Sequence, residues 1–388
     1  MPPARNESRG GPQEMHTYRG LVGIVQPEER EMATVPFLDV DGAARWIARR
    51  GPETVIAGMS RALERDLARW TELELRPRLA SHSRLGVIEL MPAADATTFG
   101  FKLVNGHPAN PARGFQTVTA FGALVDVHNG YPSFLAEMTL LTALRTAAAS
   151  ALAARRLARH DATTMALLGT GSQAEFQALG MREALGIQRL TAWDVDADAV
   201  GKFVHNARGL GFEVRAARSA ADAVAGADVV TTCTADKSSA VVLTDRMVRE
   251  LAAPGVHLNA IGGDCPGKTE LDADVVRRAS VFVEYEPQTR VEGEIQQLAP
   301  DFPVTELWEV VTERHPGRRS PDEVTLWDSV GFAVEDWSAL RYVFDDVRAG
   351  GADLLQGLDL IAEPDDPKDL FSLVTAAQAA ELRPRASA

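Results

Sequence analysis

Cysteine is nearly absent from this chain of 388 residues, in which only Cys233 and Cys265 occur. Two cysteines so far apart in sequence exclude a disulfide framework, and their spacing is not that of a zinc site. We therefore predict no bound metal and a reducing, cytoplasmic environment. The first sixteen residues also lack an apolar stretch, so they do not resemble a secretory signal. We expect residues 1–35 to form a disordered tail rich in charge, proline and glycine.

Positive charge is also in short supply, because 54 acidic residues oppose 40 basic ones and leave a formal net charge of −14. An acidic surface argues against nucleic acid or an anionic membrane as the main partner. Long apolar runs are missing as well, and none is long enough to cross a bilayer. These absences favour a small molecule as the partner.

The chain does have the apolar content, 45% of its residues, to build a large core, and its length suits two domains. Residues 46–73 show helical spacing that Gly51-Pro52 must interrupt once. The apolar period then changes from helical to two. Runs of period two at 87–91, 99–104 and 115–125 predict antiparallel strands separated by turns.

The middle of the chain alternates short apolar strands with helices, which is typical of a parallel sheet. A long helix rich in alanine and leucine is predicted over 134–158, and helix returns from about 335. Further helices are predicted at 173–185 and 197–209, and strands at 165–169, 190–196, 227–234, 256–263 and 280–285. We predict an α/β fold in which a Rossmann-type doubly wound domain (147–334) is inserted into an α+β domain (36–146 plus 335–388).

The first strand of that inner domain ends in GTGSQA, the G-x-G-x-x-A form of a dinucleotide-binding turn. Gly169 permits the tight turn, and Gly171 lets the backbone approach a pyrophosphate. The amides of Ser172 and Gln173 open the next helix and face the phosphates. Asp194 ends the following strand, where an acid accepts ribose hydroxyls and favours NAD over NADP. The alternatives are a glycine turn without a ligand and a solvated acid at a strand end.

Charged residues interrupt several apolar patterns. Glu89 and Lys102 lie on neighbouring predicted strands and would share one face of a hairpin, as two site residues would. The alternative interpretation is an ion pair across the strands at the surface. Arg145 has apolar neighbours at helical spacing, so it needs a partner. A guanidinium suits a substrate carboxylate, although a structural acid would serve equally. Arg78 is a similar candidate, but taken alone it is more often a surface residue.

The segment 257–271 contains a buried strand that ends in two glycines followed by Asp264. Ligands of open α/β sheets bind beyond the carboxyl ends of the strands. Asp264 is therefore expected in an apolar crevice beside the cofactor, where it could transfer protons. The alternative is a turn or helix-capping role, which would not exclude the first. Lys268 is placed to reach the cofactor, whereas Cys265 is expected to be a small buried residue.

Taken together, VIELMP, FKLVNGHP, EMTLLTALRTAAASALAAR, GTGSQAEFQALG, GGDCPGKTEL, YEPQTRVEGEIQQL and DSVGFAVEDWSALRY resemble the bacterial ornithine cyclodeaminases. The wider family includes ketimine reductases of the mu-crystallin type. The resemblance covers residues 78 to 371. It implies NAD as the cofactor, an amino acid as the substrate and a homodimer whose sheets meet outside the Rossmann domain.

The resemblance also implies roles for individual residues. Glu89 matches the acid near the distal amine, Asp264 matches the catalytic acid and base, and Val330 matches a position that touches the substrate. The positions that hold the substrate carboxylate are Arg78, Lys102 and Arg145. The positions that line NAD are Thr117, Arg145, Ser172, Gln173, Asp194, Thr234, Ile261, Gly262, Gly263, Asp264, Lys268 and Ser329. This sequence departs from the family pattern at Thr170, Ser172 and Cys233, and none of these changes removes a catalytic group.

The implied reaction converts L-ornithine to L-proline and ammonia through transient oxidation, cyclisation and re-reduction. A lysine cyclodeaminase that makes L-pipecolate is an alternative, because one methylene changes binding by only about 1–3 kcal/mol. A ketimine reductase or amino-acid dehydrogenase of the same family is another. A dinucleotide-binding protein without enzymatic activity is a third, although intact Lys102, Arg145 and Asp264 argue against it.

Overall fold

The computed structural model describes residues 34–235 and 241–381. Residues 1–33 of the predicted tail lie outside the described residues. Val35, which the prediction included in that tail, instead begins the first strand.

The described chain begins with elements of both kinds. They are β1 (Val35–Leu38), α1 (Val40–Arg50), α2 (Pro52–Ala68), β2 (Leu79–His82), β3 (Val87–Ala94), β4 (Thr98–Gly106), β5 (Ala120–Asp126), β6 (Pro132–Glu137) and α3 (Thr139–Leu157). The helix predicted over 46–73 is therefore two helices, and the predicted interruption at Gly51-Pro52 is confirmed. Its physical cause is the missing amide hydrogen of the proline.

Strands and helices then alternate as predicted. The elements are β7 (Thr164–Leu168), α4 (Ala174–Leu185), β8 (Arg189–Trp193), α5 (Ala197–Gly209), β9 (Glu213–Ala216), α6 (Ala220–Val224), β10 (Val229–Thr232), α7 (Asp245–Glu250), β11 (His257–Ala260), α8 (Ala273–Arg278), β12 (Ser280–Val283), α9 (Glu286–Glu292), β13 (Thr305–Glu306), α10 (Leu307–Val311) and β14 (Thr325–Asp328). The last elements are α11 (Ala333–Gly350), β15 (Gln356–Leu358) and α12 (Ser372–Glu381). Single 3₁₀ turns lie at Trp70–Glu72, Pro111–Arg113, Glu294–Gln297 and Ala352–Leu354.

In two stretches the predicted type of element was wrong. Residues 134–137, predicted as the start of a helix, belong to β6, which pairs with β5 and β1. A short apolar run does not distinguish helix from strand by its period, so the sheet partners decide. Residues 115–119, predicted as strand, form the loop before β5, where the side chain of Asn105 accepts a hydrogen bond from the Thr119 amide.

The first sheet has the strand order β15-β1-β6-β5-β4-β3-β2. Its neighbouring strands are antiparallel except for β1 and β6, which are parallel. Buried residues alternate with more exposed ones along β3 and β4, and α11 packs against β3, β4 and β5. The opposite face carries apolar side chains that are exposed or half-buried, among them Leu79, Ile88, Leu90, Phe99, Phe101 and Phe121.

The second sheet has the order β13-β12-β14-β11-β10-β7-β8-β9, and all its strands are parallel. The order reverses between β7 and β10, which is the crevice where ligands of doubly wound sheets bind. The helix α3 contacts β5 of the first sheet and β11 and β14 of the second. It therefore joins the two halves and carries Arg145 toward the carboxyl ends of the parallel strands. Among the described helices, none combines the length and the apolar composition needed to cross a bilayer.

Candidate active site

The glycine turn after β7 is held between two neighbouring strands. Gly169 has φ +103°, and a Cβ there would lie 2.7 Å from the Cys233 carbonyl oxygen. Its amide donates to the Trp193 carbonyl at 2.9 Å, and the Cys233 thiol donates to the Gly169 carbonyl at 3.1 Å. Gly171 is exposed, and a Cβ there would meet nothing within 4 Å. The turn is therefore rigid at its first glycine and open at its second, as a pyrophosphate cradle requires.

The helix that follows this turn, α4, differs at its N-terminus from the four helices that come after it in the chain. Side chains of Asp196, Ser219, Thr244 and Asp272 cap α5, α6, α7 and α8. In contrast, α4 has no side-chain cap among the described residues, and its N-cap residue Gln173 leaves a buried Oε1 without a hydrogen bond. Uncapped amides at an open helix N-terminus favour an anion.

Asp194 lies at the end of β8, as predicted, and supports the turn. Its Oδ2 accepts hydrogen bonds from the Thr170 amide at 2.6 Å and from the Thr170 hydroxyl at 3.2 Å, and its Oδ1 accepts from the Asp196 amide at 3.0 Å. The threonine that departs from the family pattern thus adds a bond to this carboxylate. Whether Asp194 also binds a ribose stays a prediction.

Lys102 and Glu89 occupy one buried face of the β3–β4 hairpin, as predicted. Met91 is directly opposite Lys102, and Val104 is opposite Glu89. The two charges do not form a surface pair, because Lys102 is 1% exposed and its Nζ lies 2.8 Å from Asp336. Burial, aided by the charge of Arg145, lowers the pKa of the Lys102 ammonium to about 8.

Arg145 has the acidic partners that its apolar neighbours required. Its Nη1 donates to Glu335 at 2.5 Å, and its Nε lies 2.9 Å from Asp336. Burial raises the pKa of Glu335 to about 8, although Arg145 opposes this shift. Lys102 and Arg145 therefore share Asp336 as a counter-charge, and the start of α11 holds both cations in place.

The side chain of Arg78 is buried and contacts two carboxylates and two carbonyl oxygens. Its Nη1 donates to Glu89 at 2.9 Å, and its Nε lies 3.2 Å from Glu292. Its Nη2 donates to the carbonyl oxygens of Val330, at 2.7 Å, and Gly331, at 2.5 Å. It was expected more often as a surface residue, but it joins the first sheet to the loop after β14. The sequence reasoning could not anticipate this, because β14 was not predicted.

Glu292 is a site residue that the sequence analysis missed. It ends α9 within the quoted stretch YEPQTRVEGEIQQL, and its side chain is 8% exposed. Burial raises the pKa of its carboxyl to about 7, because the negative charges of Glu89 and Asp264 add to the effect and Arg78 only partly opposes it. The sequence signal for Glu292 was its place before a glycine in a motif of the family. Its spacing in the chain did not indicate that it contacts Arg78.

Asp264 follows β11 as predicted, yet its expected apolar surroundings are wrong. Its side chain is 53% exposed, and its Oδ1 lies 3.3 Å from the Nζ of Lys268. Lys268 is buried and also donates to the Thr234 carbonyl at 2.9 Å. Asp264 lies in the loop between β11 and α8 rather than within the buried strand, and its side chain reaches solvent there. Its charge still acts on Arg78 and Glu292, so it belongs to the same cluster.

Buried carboxylates hold the loops around the site. Glu270 accepts from the amide and the hydroxyl of Thr234, and Glu284 accepts from the Ser329 hydroxyl and the Gly331 amide. Asp328 accepts from the amides of 294 and 295, and Glu294 from those of 270 and 271. Burial raises the pKa of Asp328 to about 7.

These carboxylates also explain the two glycines after β11. A Cβ at Gly262 would collide with the carboxylate of Glu270, and one at Gly263 would lie 2.8 Å from Glu294 Oε1. Ile261 is half-buried beside them. Thr117 lies in the loop before β5, where its carbonyl accepts from the His107 amide at 2.8 Å.

The doubly wound sheet and its open glycine turn define a Rossmann-type α/β protein, and the buried charges form its candidate site. Residues 46–351 match the model of the ornithine cyclodeaminase/mu-crystallin family. An ornithine cyclodeaminase of Brucella suis biovar 1 (strain 1330) is 54% identical over 340 residues, which are 88% of this chain and 93% of that protein. This chain therefore belongs to the ornithine cyclodeaminase/mu-crystallin family.

Solved structures agree with this assignment. A lysine cyclodeaminase, studied for its recognition of L-lysine, L-ornithine and L-2,4-diaminobutyric acid, has a TM-score of 0.81 at 32% identity and covers 88% of this chain and 100% of its own. An archaeal alanine dehydrogenase dimer with bound NAD has a TM-score of 0.76 at 27% identity and covers 85% of this chain and 100% of its own. The fold is thus shared among enzymes with different amino-acid substrates.

Proposed function

We propose that this chain is an NAD-dependent ornithine cyclodeaminase, which converts L-ornithine to L-proline and ammonia. The observation that carries the proposal is the buried group of three cations, Arg78, Lys102 and Arg145, at the carboxyl ends of the parallel strands. Cations fixed in this way suit a substrate carboxylate. The 54% identity to the Brucella suis ornithine cyclodeaminase supports ornithine as the substrate.

The residues of the glycine turn fit NAD. The open space at Gly171 suits a pyrophosphate, and the uncapped start of α4 offers amides to it. In this proposal Asp194, held at the end of β8 by the Thr170 amide, accepts the ribose hydroxyls. When bound, NAD supplies a hydride acceptor for the substrate Cα and returns the hydride after the ring has closed. The carboxylate of Asp194 disfavours the additional phosphate of NADP because of charge repulsion.

The chain's own residues orient the substrate and move its protons. In this proposal Lys102 and the two arginines hold the carboxylate, so the Cα faces the cofactor. Glu89, fixed by Arg78, orients the distal amine. Asp264 exchanges protons with the substrate and, because half of its side chain is exposed, with solvent. Val330, whose carbonyl accepts from Arg78, contacts the substrate in this proposal.

We propose further that residues 36–146 plus 335–388 bind the substrate and that residues 147–334 bind NAD. The separation of the two sheets along the chain supports this division. A cytoplasmic location is proposed because the sequence has only two cysteines, far apart in the chain, and so offers no disulfide framework.

We also propose that the protein is a homodimer formed through the outer face of the first sheet. That face carries Ile88, Phe99 and Phe121, which are 48%, 37% and 48% exposed. Contiguous exposed apolar side chains on a sheet indicate a protein interface. A monomer by light scattering at micromolar concentration would contradict this proposal.

The decisive experiment incubates the purified protein with catalytic NAD and either L-ornithine or L-lysine. Proline and ammonia in equal amounts, without net NADH at 340 nm, are expected from L-ornithine. Preferred conversion of L-lysine to pipecolate would change the substrate but keep the reaction. Steady NADH accumulation would indicate a dehydrogenase and would overturn the proposal.

A further inference from the structure

We propose that Glu292 is the base that removes the proton from the distal ammonium of the substrate. This inference rests on the proposed function and assigns to a residue of α9 a step that the family resemblance does not assign to it. Three carboxylates surround Arg78 in the site, namely Glu89, Asp264 and Glu292. The question is which of them is free to accept a proton.

Two of the three carboxylates already accept a hydrogen bond from a cation. Glu89 accepts an aligned hydrogen bond from Arg78 Nη1 at 2.9 Å. Asp264 is half exposed and lies 3.3 Å from the ammonium of Lys268. Glu292 is 8% exposed, and its Oε2 is buried without a hydrogen-bond partner among the described residues. The Nε of Arg78 lies 3.2 Å away but is not aligned for a hydrogen bond, so this oxygen has a charge neighbour and an unused acceptor position.

The backbone around Glu292 is rigid, so the carboxylate is held in a defined place. Gln288, one helical turn earlier, accepts from the Arg78 amide at 3.1 Å and donates to the Gly331 carbonyl at 2.9 Å. Residue 293 must be glycine, because a Cβ there would lie 2.7 Å from Asp328 Oδ1. Residues four apart on a helix share a face, so Gln288 and Glu292 approach Arg78 together.

The protonation chemistry suits a base at neutral pH. An alkyl ammonium has a pKa of about 10.4, so almost none of the distal amine is a nucleophile at pH 7. Burial raises the pKa of Glu292 to about 7, which brings the acceptor near the working pH. In the step, the N–H bond breaks, its electron pair stays on nitrogen, and the proton forms an O–H bond on Glu292. The neutral amine can then attack the Cα of the imino acid.

The test compares Glu292→Gln with the wild type and with Glu286→Gln, a matched control at the other end of α9 whose side chain is 45% exposed. At pH 7.5 we expect kcat with L-ornithine to fall by about 10²–10⁴-fold in Glu292→Gln and to stay at the wild-type value in the control. Between pH 7 and 10, kcat of Glu292→Gln should rise about tenfold per pH unit, because the neutral amine becomes more abundant. The wild-type kcat should show no such rise, because Lys102, whose pKa is about 8, can only lose a substrate-binding charge as the pH increases.

A single-turnover experiment, in which NADH is followed at 340 nm, distinguishes a catalytic base from a residue that only positions Arg78. Oxidation at Cα precedes ring closure, so NADH should accumulate transiently in Glu292→Gln. A kcat within threefold of the wild type would overturn the proposal. A raised KM without the NADH transient would do the same, since it would show that Glu292 only positions Arg78.

Two further results keep the test decisive. Glu292→Asp retains a carboxylate, so its kcat should be reduced but should not rise with pH. A kcat that rises tenfold per pH unit in this variant would contradict the assignment, even if Glu292→Gln does not fold. If the wild type makes no proline from L-ornithine, the proposed function fails. If it does and Glu292→Gln matches it, only the role of Glu292 fails.

Discussion

Replacement of Asp336 by asparagine is the most informative perturbation of the buried charges. Asp336 is 1% exposed and is the shared counter-charge of Lys102, whose Nζ lies 2.8 Å away, and of Arg145, whose Nε lies 2.9 Å away. The asparagine keeps the shape of the side chain but removes the negative charge that both buried cations contact, while Glu335 still contacts Arg145. Breaking a buried pair by removing one partner costs about 3–5 kcal/mol.

A loss of that size is a large fraction of the about 5–15 kcal/mol that typically separates folded from unfolded protein. Urea denaturation should therefore show a clear decrease in the free energy of unfolding for Asp336→Asn. The matched control is Arg50→Gln. It removes the exposed arginine of α1 that pairs with Asp346, which lies on α11 as Asp336 does. An exposed pair of this kind contributes about 0–1 kcal/mol.

The same substitution should also weaken substrate binding. Asp336 opposes the fall in the pKa of Lys102, which is already about 8, so its loss lowers that pKa further. Lys102 then loses its charge near neutral pH, and the KM for L-ornithine should rise more than kcat falls. A change in unfolding free energy below about 1 kcal/mol, with an unchanged KM, would refute the view that Asp336 balances the two cations.

Three other outcomes are expected. Gly169→Ala should abolish NAD binding in a calorimetric titration, because φ +103° and the contact with the Cys233 carbonyl exclude a side chain. The control Gly201→Ala, where a Cβ would meet nothing within 4 Å, should bind NAD normally. Asp194→Asn should raise the Kd for NAD and reduce the preference over NADP, and unchanged Kd values for both would argue against a ribose contact. Burial raises the pKa of Asp328 from 3.8 to about 7, so the folded state binds this proton more tightly than the unfolded state. Its contribution to stability is present below about pH 4 and is lost as the pH rises through 7, and Asp328→Asn should flatten this part of the unfolding profile.

Local patterns carried much of the fold prediction. The helix interruption at Gly51-Pro52 and the helix over 197–209 follow from propensity and period, which act over a few residues. The hairpin that places Glu89 and Lys102 on one face follows from the alternation of strand side chains. Residues 134–137 were mistaken because a four-residue apolar run fits both helix and strand until β1 and β5 pair with it.

The sequence by itself determined the doubly wound sheet, the glycine turn and the identity of the cations, because each is encoded by residues close together in the chain. Only the tertiary structure decided how those cations are balanced. Arg78 meets Glu292 across more than two hundred residues, and Lys102 meets Asp336 across 234. Burial and charge depend on which distant elements pack together, and no local spacing specifies that. For the same reason local spacing specifies neither the exposure of Asp264 nor the position of Glu292 beside Arg78.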